Sequence, residues 1–208
     1  MTWTDDILVP LRKWNYAIPR AEYHDWYMTV LLYELYGEKD ALEVGAFTGA
    51  NTLFLSYIAK IKGKIVYAID NWDQAKKANV SPIRAKELFY AHLNLLDTKE
   101  SCRLLEIDAI DIADEYINKV DFIFYDINSF SLSCSPTSQV LNFINKIKRK
   151  TIFILDDYEK SNRNLDIDQI VNYPNVEEIY RTKSRSYMTI FHNKETIEKM
   201  KNFIEELL

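Results

Sequence analysis

Acidic residues follow four apolar segments of the chain, at the point where each segment ends. Carboxylates in such positions accept hydrogen bonds from hydroxyl and N–H groups, and several together suit a divalent cation. A single acid there is commonly the cap of the next helix, but four successive segment ends indicate a shared site. The acids are Asp70, Asp108, Asp126 and the neighbours Asp156 and Asp157.

Two of the chain's four glycines lie after another short apolar segment, within the stretch DALEVGAFTGANTLFLS. They form the pattern E-x-G-x-x-x-G with Glu43, Gly45 and Gly49, directly before a helical pattern. Glycine permits a sharp turn and a close approach of the backbone to a ligand, and the helix N-terminus offers free N–H groups. We therefore expect a ligand-binding loop here, with a tight turn that binds nothing as the alternative.

The elements that must position these residues alternate between strands and helices. Apolar segments such as 64–70 and 120–126 are separated by stretches with helical spacing, such as 50–63 and 82–97. This alternation predicts an α/β fold with a mostly parallel sheet, whose strands carry the acids and the glycine loop at one edge. The last two strands, within 176–193, are joined too closely for a helical crossover, which predicts an antiparallel C-terminal strand.

The glycine loop LEVGAFTG, followed by AIDNW, EIDA, FIFYDIN and FILDDY, resembles the class I S-adenosylmethionine-dependent methyltransferases over roughly residues 38–193. The resemblance implies a Rossmann-like, doubly wound, seven-stranded sheet. It also implies that the glycine loop passes the methionine moiety, that the acid after the second strand holds the ribose, and that neighbouring residues contact the adenine. The implied cofactor contacts are Glu43, Gly45, Gly49, Asp70, Asn71, Trp72, Asp108 and Ala109.

Three of the acids, Asp126, Asp156 and Asp157, are expected at adjacent strand ends, where they would suit Mg²⁺. This arrangement is similar to that of metal-dependent O-methyltransferases that act on catechols or on sugar hydroxyls. The resemblance implies methyl transfer to a hydroxyl group of a small molecule, a sugar or a phenol, whose pKa the metal lowers. The alternative is that these acids cap helices or pair with arginine and lysine.

The position of the general base differs from that in the sugar-modifying relatives. These relatives tend to carry an acid two residues after the first metal ligand, and this acid serves as the base. This chain has Asn128 at that position, and an amide cannot take a proton at neutral pH. The candidate catalytic residues are therefore Asp126 and His24, with a purely structural histidine as the alternative for His24. His92 and His192 are interpreted as structural.

The chain of 208 residues is predicted to form a single domain, 1–208, in which the aromatic-rich residues 1–37 form a helical lid or substrate segment. The net charge of −5 disfavours a nucleic-acid partner. No apolar run approaches the ~20 residues that cross a membrane. We therefore expect a cytoplasmic protein with a small-molecule acceptor, and homo-oligomerisation stays open. Cys102 and Cys134 are expected to be free, buried thiols.

Three other functions are compatible with the sequence. A nicotinamide-dependent oxidoreductase would use a similar sheet, although the glycine spacing departs from G-x-G-x-x-G. A non-catalytic protein that binds S-adenosylmethionine would account for Asn128. A protein paired with hydroxylation instead of methylation would share the acidic edge.

Overall fold

The computed structural model describes residues 23–73, 75, 79–126, 135–156 and 165–207, with only the backbone of Tyr23 and His24. These residues contain one seven-stranded sheet. Its strands are β1 (Asp40–Val44), β2 (Val66–Ile69), β3 (Cys102–Leu105), β4 (Val120–Tyr125), β5 (Thr151–Asp156), β6 (Val176–Arg181) and β7 (Arg185–Ile190).

The sheet has the strand order β3-β2-β1-β4-β5-β7-β6. The first five strands pair in parallel, and β7 lies antiparallel between β5 and β6. The predicted α/β class, the mostly parallel seven-stranded sheet and the antiparallel C-terminal strand are therefore confirmed. Chain order reverses between β1 and β4, which is where open sheets of this type bind ligands.

Helices connect the strands in the segments that the helical spacing predicted. Two of them begin with a serine cap followed by proline: Ser81 accepts a hydrogen bond from the N–H of Arg84, and Ser135 from that of Ser138. Proline suits this position because it lacks an N–H group, and the N–H groups of the first turn have no partner within the helix. The helices are α1 (Tyr23–Tyr36), α2 (Ala50–Lys62), α3 (Pro82–Leu95), α4 (Asp114–Ile117), α5 (Pro136–Lys146), α6 (Ile167–Val171) and α7 (Lys194–Leu207).

The central strands are buried on both faces, which explains their continuous apolar sequences. All six residues of β5 are buried, and alternate residues of β4 belong to two different apolar clusters. One cluster contains Phe122 and Phe124 together with residues of α1, α2 and α7. The other contains Tyr125, Phe143 and Phe153. None of the helices that the structure describes is long and apolar enough to span a membrane.

The third strand ends earlier than the sequence pattern predicted. We expected it to run to Asp108, but β3 ends at Leu105 and is only partly buried at the sheet edge. Asp108 instead precedes a 3₁₀ turn, Ala109–Asp111, and accepts a hydrogen bond from the N–H of Ile110. The residue acts as a local cap because its short carboxylate reaches the N–H two positions ahead.

The predicted lid segment divides into two parts. Its residues 25–36 lie in α1, where Met28, Leu32 and Tyr33 are fully buried in the core. Residues 1–22 lie outside the part of the chain that the structure describes. The lid therefore remains a prediction for those residues, whereas α1 packs as part of the domain.

Candidate functional site

The loop between β1 and α2 lies at the carboxyl edge of the sheet. Gly45, Phe47 and Gly49 have positive φ angles of 90°, 45° and 80°. A Cβ atom at Gly45 would lie 1.6 Å from the carbonyl oxygen of Asp126, and one at Gly49 would lie 2.7 Å from Cδ2 of Phe89. Neighbouring chain segments therefore already require glycine at both positions, before any ligand is considered.

Glu43 anchors this loop from inside the protein. Its side chain is buried and accepts hydrogen bonds from Oγ1 of Thr52 and from Nδ2 of Asn51, the latter at 3.0 Å. Burial raises the pKa of Glu43 to about 8; the two hydrogen bonds oppose the rise, and Asp126 and Asp70 add to it. A cationic group beside these acids would lower this pKa.

Asp70 follows β2 and holds two turns together. Its Oδ2 atom accepts a hydrogen bond from the N–H of Phe47 at 2.7 Å, and Oδ1 accepts one from the N–H of Trp72 at 2.6 Å. Burial raises the pKa of Asp70, and these two backbone hydrogen bonds oppose the rise. Each carboxylate oxygen retains a second lone pair, so Asp70 can also accept hydrogen bonds from ligand hydroxyl groups.

The loops after β2 and β3 contact each other through Asn71 and Asp108. Nδ2 of Asn71 donates a hydrogen bond to Oδ2 of Asp108 at 3.2 Å, and both residues are exposed. Ala109 follows at the start of the 3₁₀ turn. These three predicted adenine contacts therefore lie in the loops that follow β2 and β3, and Asn71 follows Asp70, which is bonded to the glycine loop.

Trp72, the remaining predicted adenine contact, is buried instead of exposed to a ligand. Its ring packs edge-on against Phe89 with 6.1 Å between centroids, and Nε1 donates a hydrogen bond to Glu106 at 3.2 Å. Only 6% of Trp72 is exposed. Its described side-chain contacts are with Phe89 and Glu106, whereas the neighbouring residue Asn71 is exposed to solvent.

Asp126 and Asp156 lie after β4 and at the end of β5. The N–H of Asp126 donates to the carbonyl oxygen of Val44 at 2.8 Å, which extends the β1–β4 pairing to the site. Oδ1 of Asp156 accepts a hydrogen bond from Nε of Arg185 at 2.7 Å. This ion pair is the alternative that the sequence left open for Asp156. Asp157 and Asn128 lie outside the described residues.

Arg185 is the residue at this edge that sequence reasoning missed. It is 3% exposed, and its guanidinium carbon lies 5.0 Å from the ring centroids of both Trp26 and Phe124. Burial disfavours the cation, but Asp156, Tyr187 and Asp25 together outweigh burial, and the pKa of Arg185 is raised. The signal in the sequence was an arginine at the start of the segment RSYMTI, which contains no other charged residue.

The predicted Mg²⁺ site does not fit the described side chains well. Both carboxylate oxygens of Asp156 face Arg185, whose positive charge would repel a divalent cation. Within the described ranges, no group of three or more His, Cys, Asp or Glu residues is placed to hold a metal ion. Because Asp157 lies outside those ranges, Mg²⁺ binding by Asp126, Asp156 and Asp157 stays a prediction.

The histidines and cysteines contribute little to this edge. The side chain of His24, the predicted base, lies outside the described residues. His92 supports the glycine loop, because its Nδ1 lies 2.6 Å from the carbonyl oxygen of Thr48. Cys102 is a free cysteine, as predicted, but it is only partly buried; this burial still raises the pKa of its thiol to about 12. Cys134 lies outside the described residues.

The chain matches no protein-family model and no curated protein in sequence. In structure it is similar to a putative caffeoyl-CoA O-methyltransferase from Staphylococcus aureus, with a TM-score of 0.59 at 13% identity over 89% of this chain and 91% of that one. It is also similar to the O-methyltransferase from Bacillus cereus in complex with SAH, with a TM-score of 0.57 at 12% identity over 91% of each chain.

An RNA methyltransferase from Salinibacter ruber, in complex with S-adenosyl-L-homocysteine, is a third similar structure. Its TM-score is 0.51 at 11% identity, over 85% of this chain and 94% of that one. Similarity at these low identities reports the fold and leaves the acceptor open. The chain has the α/β fold of the class I S-adenosylmethionine-dependent methyltransferases.

Proposed function

We propose that this protein transfers a methyl group from S-adenosylmethionine to a hydroxyl group of a small molecule. The observation that carries the proposal is the glycine loop anchored by buried Glu43 and bonded to Asp70 at the carboxyl edge of the sheet. Similar folds occur in O-methyltransferases in complex with SAH and with SAM, which supports this class of cofactor.

The charges and polar atoms of this edge fit such a donor, which carries an ammonium, a sulfonium and a carboxylate group. Glu43 and Asp70 are acids that a nearby cation would stabilise. Oδ1 of Asn51 is buried and has no hydrogen-bond partner among the described residues, so it can accept a hydrogen bond from the ligand. Gly49 provides no side-chain cap to α2, which leaves the helix N-terminus open to a carboxylate.

The reaction asks little covalent chemistry of the protein. S-adenosylmethionine supplies a methyl group that is already activated on a sulfonium leaving group. The chain must align the acceptor, exclude water and take the proton of the hydroxyl group. We propose Asp126, at the end of β4 against Gly45, and His24 as the candidates to take that proton. The net charge of −5 disfavours an RNA acceptor, so a sugar or a phenol is the favoured class.

Calorimetric titration with S-adenosylhomocysteine and, separately, NAD tests the cofactor. We expect binding of S-adenosylhomocysteine alone. The Asp70→Ala substitution should weaken it by about 1–3 kcal/mol, because charge-assisted hydrogen bonds to the ribose and the support of the loop are lost. Glu205→Ala, an exposed substitution in α7 with the same charge change, serves as the control.

Binding of NAD in place of S-adenosylhomocysteine would identify an oxidoreductase. Unchanged affinity in a folded Asp70→Ala variant would remove Asp70 from the site. If the cofactor binds, transfer of labelled methyl groups to a panel of sugars and phenols separates an enzyme from a non-catalytic binding protein.

A further inference from the structure

We propose that Arg185 is a built-in counter-ion for Asp156 and that methyl transfer by this protein therefore needs no divalent metal. This inference rests on the proposed function. It concerns the part of the same site at the carboxyl ends of β4 and β5 and the start of β7, which we call the proposed acceptor side. It assigns the positive charge on this side to a side chain, that of Arg185 at the start of β7. Arg185 is thus a positioning residue, because it acts through Asp156 and the elements around it.

The backbone places the two side chains together. Asp156 and Arg185 are direct partners in the antiparallel ladder between β5 and β7. Nε of Arg185 lies 2.7 Å from Oδ1 of Asp156, and Nη2 lies 3.4 Å from Oδ2. The guanidinium therefore faces both carboxylate oxygens, in the paired geometry that arginine favours with carboxylates.

The surroundings hold Arg185 in this position. Nη1 donates a hydrogen bond to Oγ1 of Thr29 at 3.1 Å, and that hydroxyl in turn donates to the carbonyl oxygen of Asp25 at 2.7 Å. Aromatic rings of Trp26 and Phe124 lie at 5.0 Å from the guanidinium. Arginine stacks on aromatic rings, so the cation has partners on several sides and little room to leave Asp156.

A metal ion bound to Asp156 would have to approach this guanidinium. Mg²⁺ binds oxygen at about 2.0–2.1 Å, and Nε of Arg185 already lies 2.7 Å from Oδ1 of Asp156. The ion would therefore lie a few ångströms from a buried positive charge that cannot be deprotonated. Repulsion between them is stronger here than in water, because the side chains of Arg185 and Asp156 are only 3% and 11% exposed.

The same network joins the start of α1 to the proposed acceptor side. Oγ of Ser184 donates to Oδ2 of buried Asp25 at 2.6 Å, and the hydroxyl of Tyr187 donates to the Asp25 carbonyl oxygen at 3.0 Å. Together with the Thr29 contact, these bonds join α1 to the turn before β7 and to β7 itself. Arg185 therefore links the carboxylate at the end of β5 to the helix that follows residues 1–22 in the chain.

The test is a titration with Mn²⁺. The protein is first saturated with S-adenosylhomocysteine, and electron paramagnetic resonance measures the concentration of free Mn²⁺. The wild type is compared with Asp126→Asn and with the double variant Asp156→Asn, Arg185→Gln. The double substitution removes both charges of the buried pair, so neither partner is left uncompensated. Methyl transfer is then assayed with EDTA and with added Mg²⁺.

We expect no stoichiometric Mn²⁺ binding by the wild type and undiminished methyl transfer in EDTA. Binding of one Mn²⁺ that is lost in either variant, or loss of transfer in EDTA that Mg²⁺ restores, would overturn the proposal. Mn²⁺ binding that both variants retain would place the ion elsewhere and support it. Failure of S-adenosylhomocysteine to bind contradicts the proposed function instead, so the two failures are distinguishable.

Discussion

The proposed cofactor side of the site, around Glu43 and Asp70, and its proposed acceptor side, around Asp156, both contain buried acids. The charges of these acids are compensated differently on the two sides. On the cofactor side, Glu43 and Asp70 receive hydrogen bonds from uncharged side-chain and backbone groups, and the pKa of each is raised. On the acceptor side, Asp156 is paired with the Arg185 cation. This difference agrees with the proposed function, in which a cationic ligand completes the first side, whereas Arg185 neutralises Asp156 on the second.

Substitution in the glycine loop should give the largest effect. Gly45→Val should abolish folding or cofactor binding, because the new side chain collides with the backbone of Asp126 at the junction of the two sides. Gly63→Val is the control: φ is also positive there, but a Cβ atom meets nothing within 4 Å. It should cost only the local strain of about 1–2 kcal/mol, measured by urea unfolding. A Gly45→Val protein that folds and binds S-adenosylhomocysteine normally would contradict this account.

Breaking the ion pair of the acceptor side comes next. Arg185→Gln should lower the free energy of unfolding by about 3–5 kcal/mol, because Asp156 is left buried without its counter-ion. The double variant Asp156→Asn, Arg185→Gln should be more stable than this single variant. Urea unfolding of both proteins and of Asp156→Asn measures the coupling. Additive effects would show that the pair does not act as a unit.

The buried acid of the cofactor side predicts a pH dependence of the opposite kind to that of an ion-paired carboxylate. Burial raises the pKa of Glu43 from 4.5 to about 8, so the folded state binds the proton more tightly than the unfolded state. The contribution of protonated Glu43 to the free energy of unfolding is fully present below pH 4.5. It is lost as the pH rises towards 8, by at most about 1.4 kcal/mol per pH unit.

The Glu43→Gln substitution replaces the carboxyl group by a neutral amide that does not titrate. Its free energy of unfolding should therefore depend less on pH between 4.5 and 8 than that of the wild type, measured by urea unfolding at several pH values. Binding of S-adenosylmethionine to the wild type near pH 7 should also release a proton from Glu43, because the positive charge of the ligand favours the ionised carboxylate. Parallel pH profiles for the two proteins would show that Glu43 does not titrate in this range.

Deletion of residues 1–19 should have the smallest effect on the cofactor side. If this segment is a lid, the truncated protein keeps its affinity for S-adenosylhomocysteine but loses turnover or acceptor binding. Calorimetry and a methyl-transfer assay measure the two properties separately. A parallel loss of stability and cofactor affinity would instead make the segment part of the core.

Local sequence patterns predicted the elements of the cofactor side well. The spacing of Glu43, Gly45 and Gly49 identified a loop between a strand and a helix, and Asp70 was correctly expected at the next strand end. Trp72 was harder to interpret, because an aromatic residue after a strand fits a ligand contact as well as a core position. Its ring packs against Phe89, which belongs to α3 and is 17 positions away in the chain.

The sequence by itself determined the α/β order, the mostly parallel sheet and the edge at which acids and glycines meet. These features follow from the period of apolar residues and from the conformations of glycine and proline, which act over a few residues. The tertiary structure alone decided that Asp156 has a counter-ion, because Arg185 lies 29 positions away and reaches it only through the β5–β7 pairing. Buried charges are compensated by whatever the fold brings near, and that depends on strand order and register.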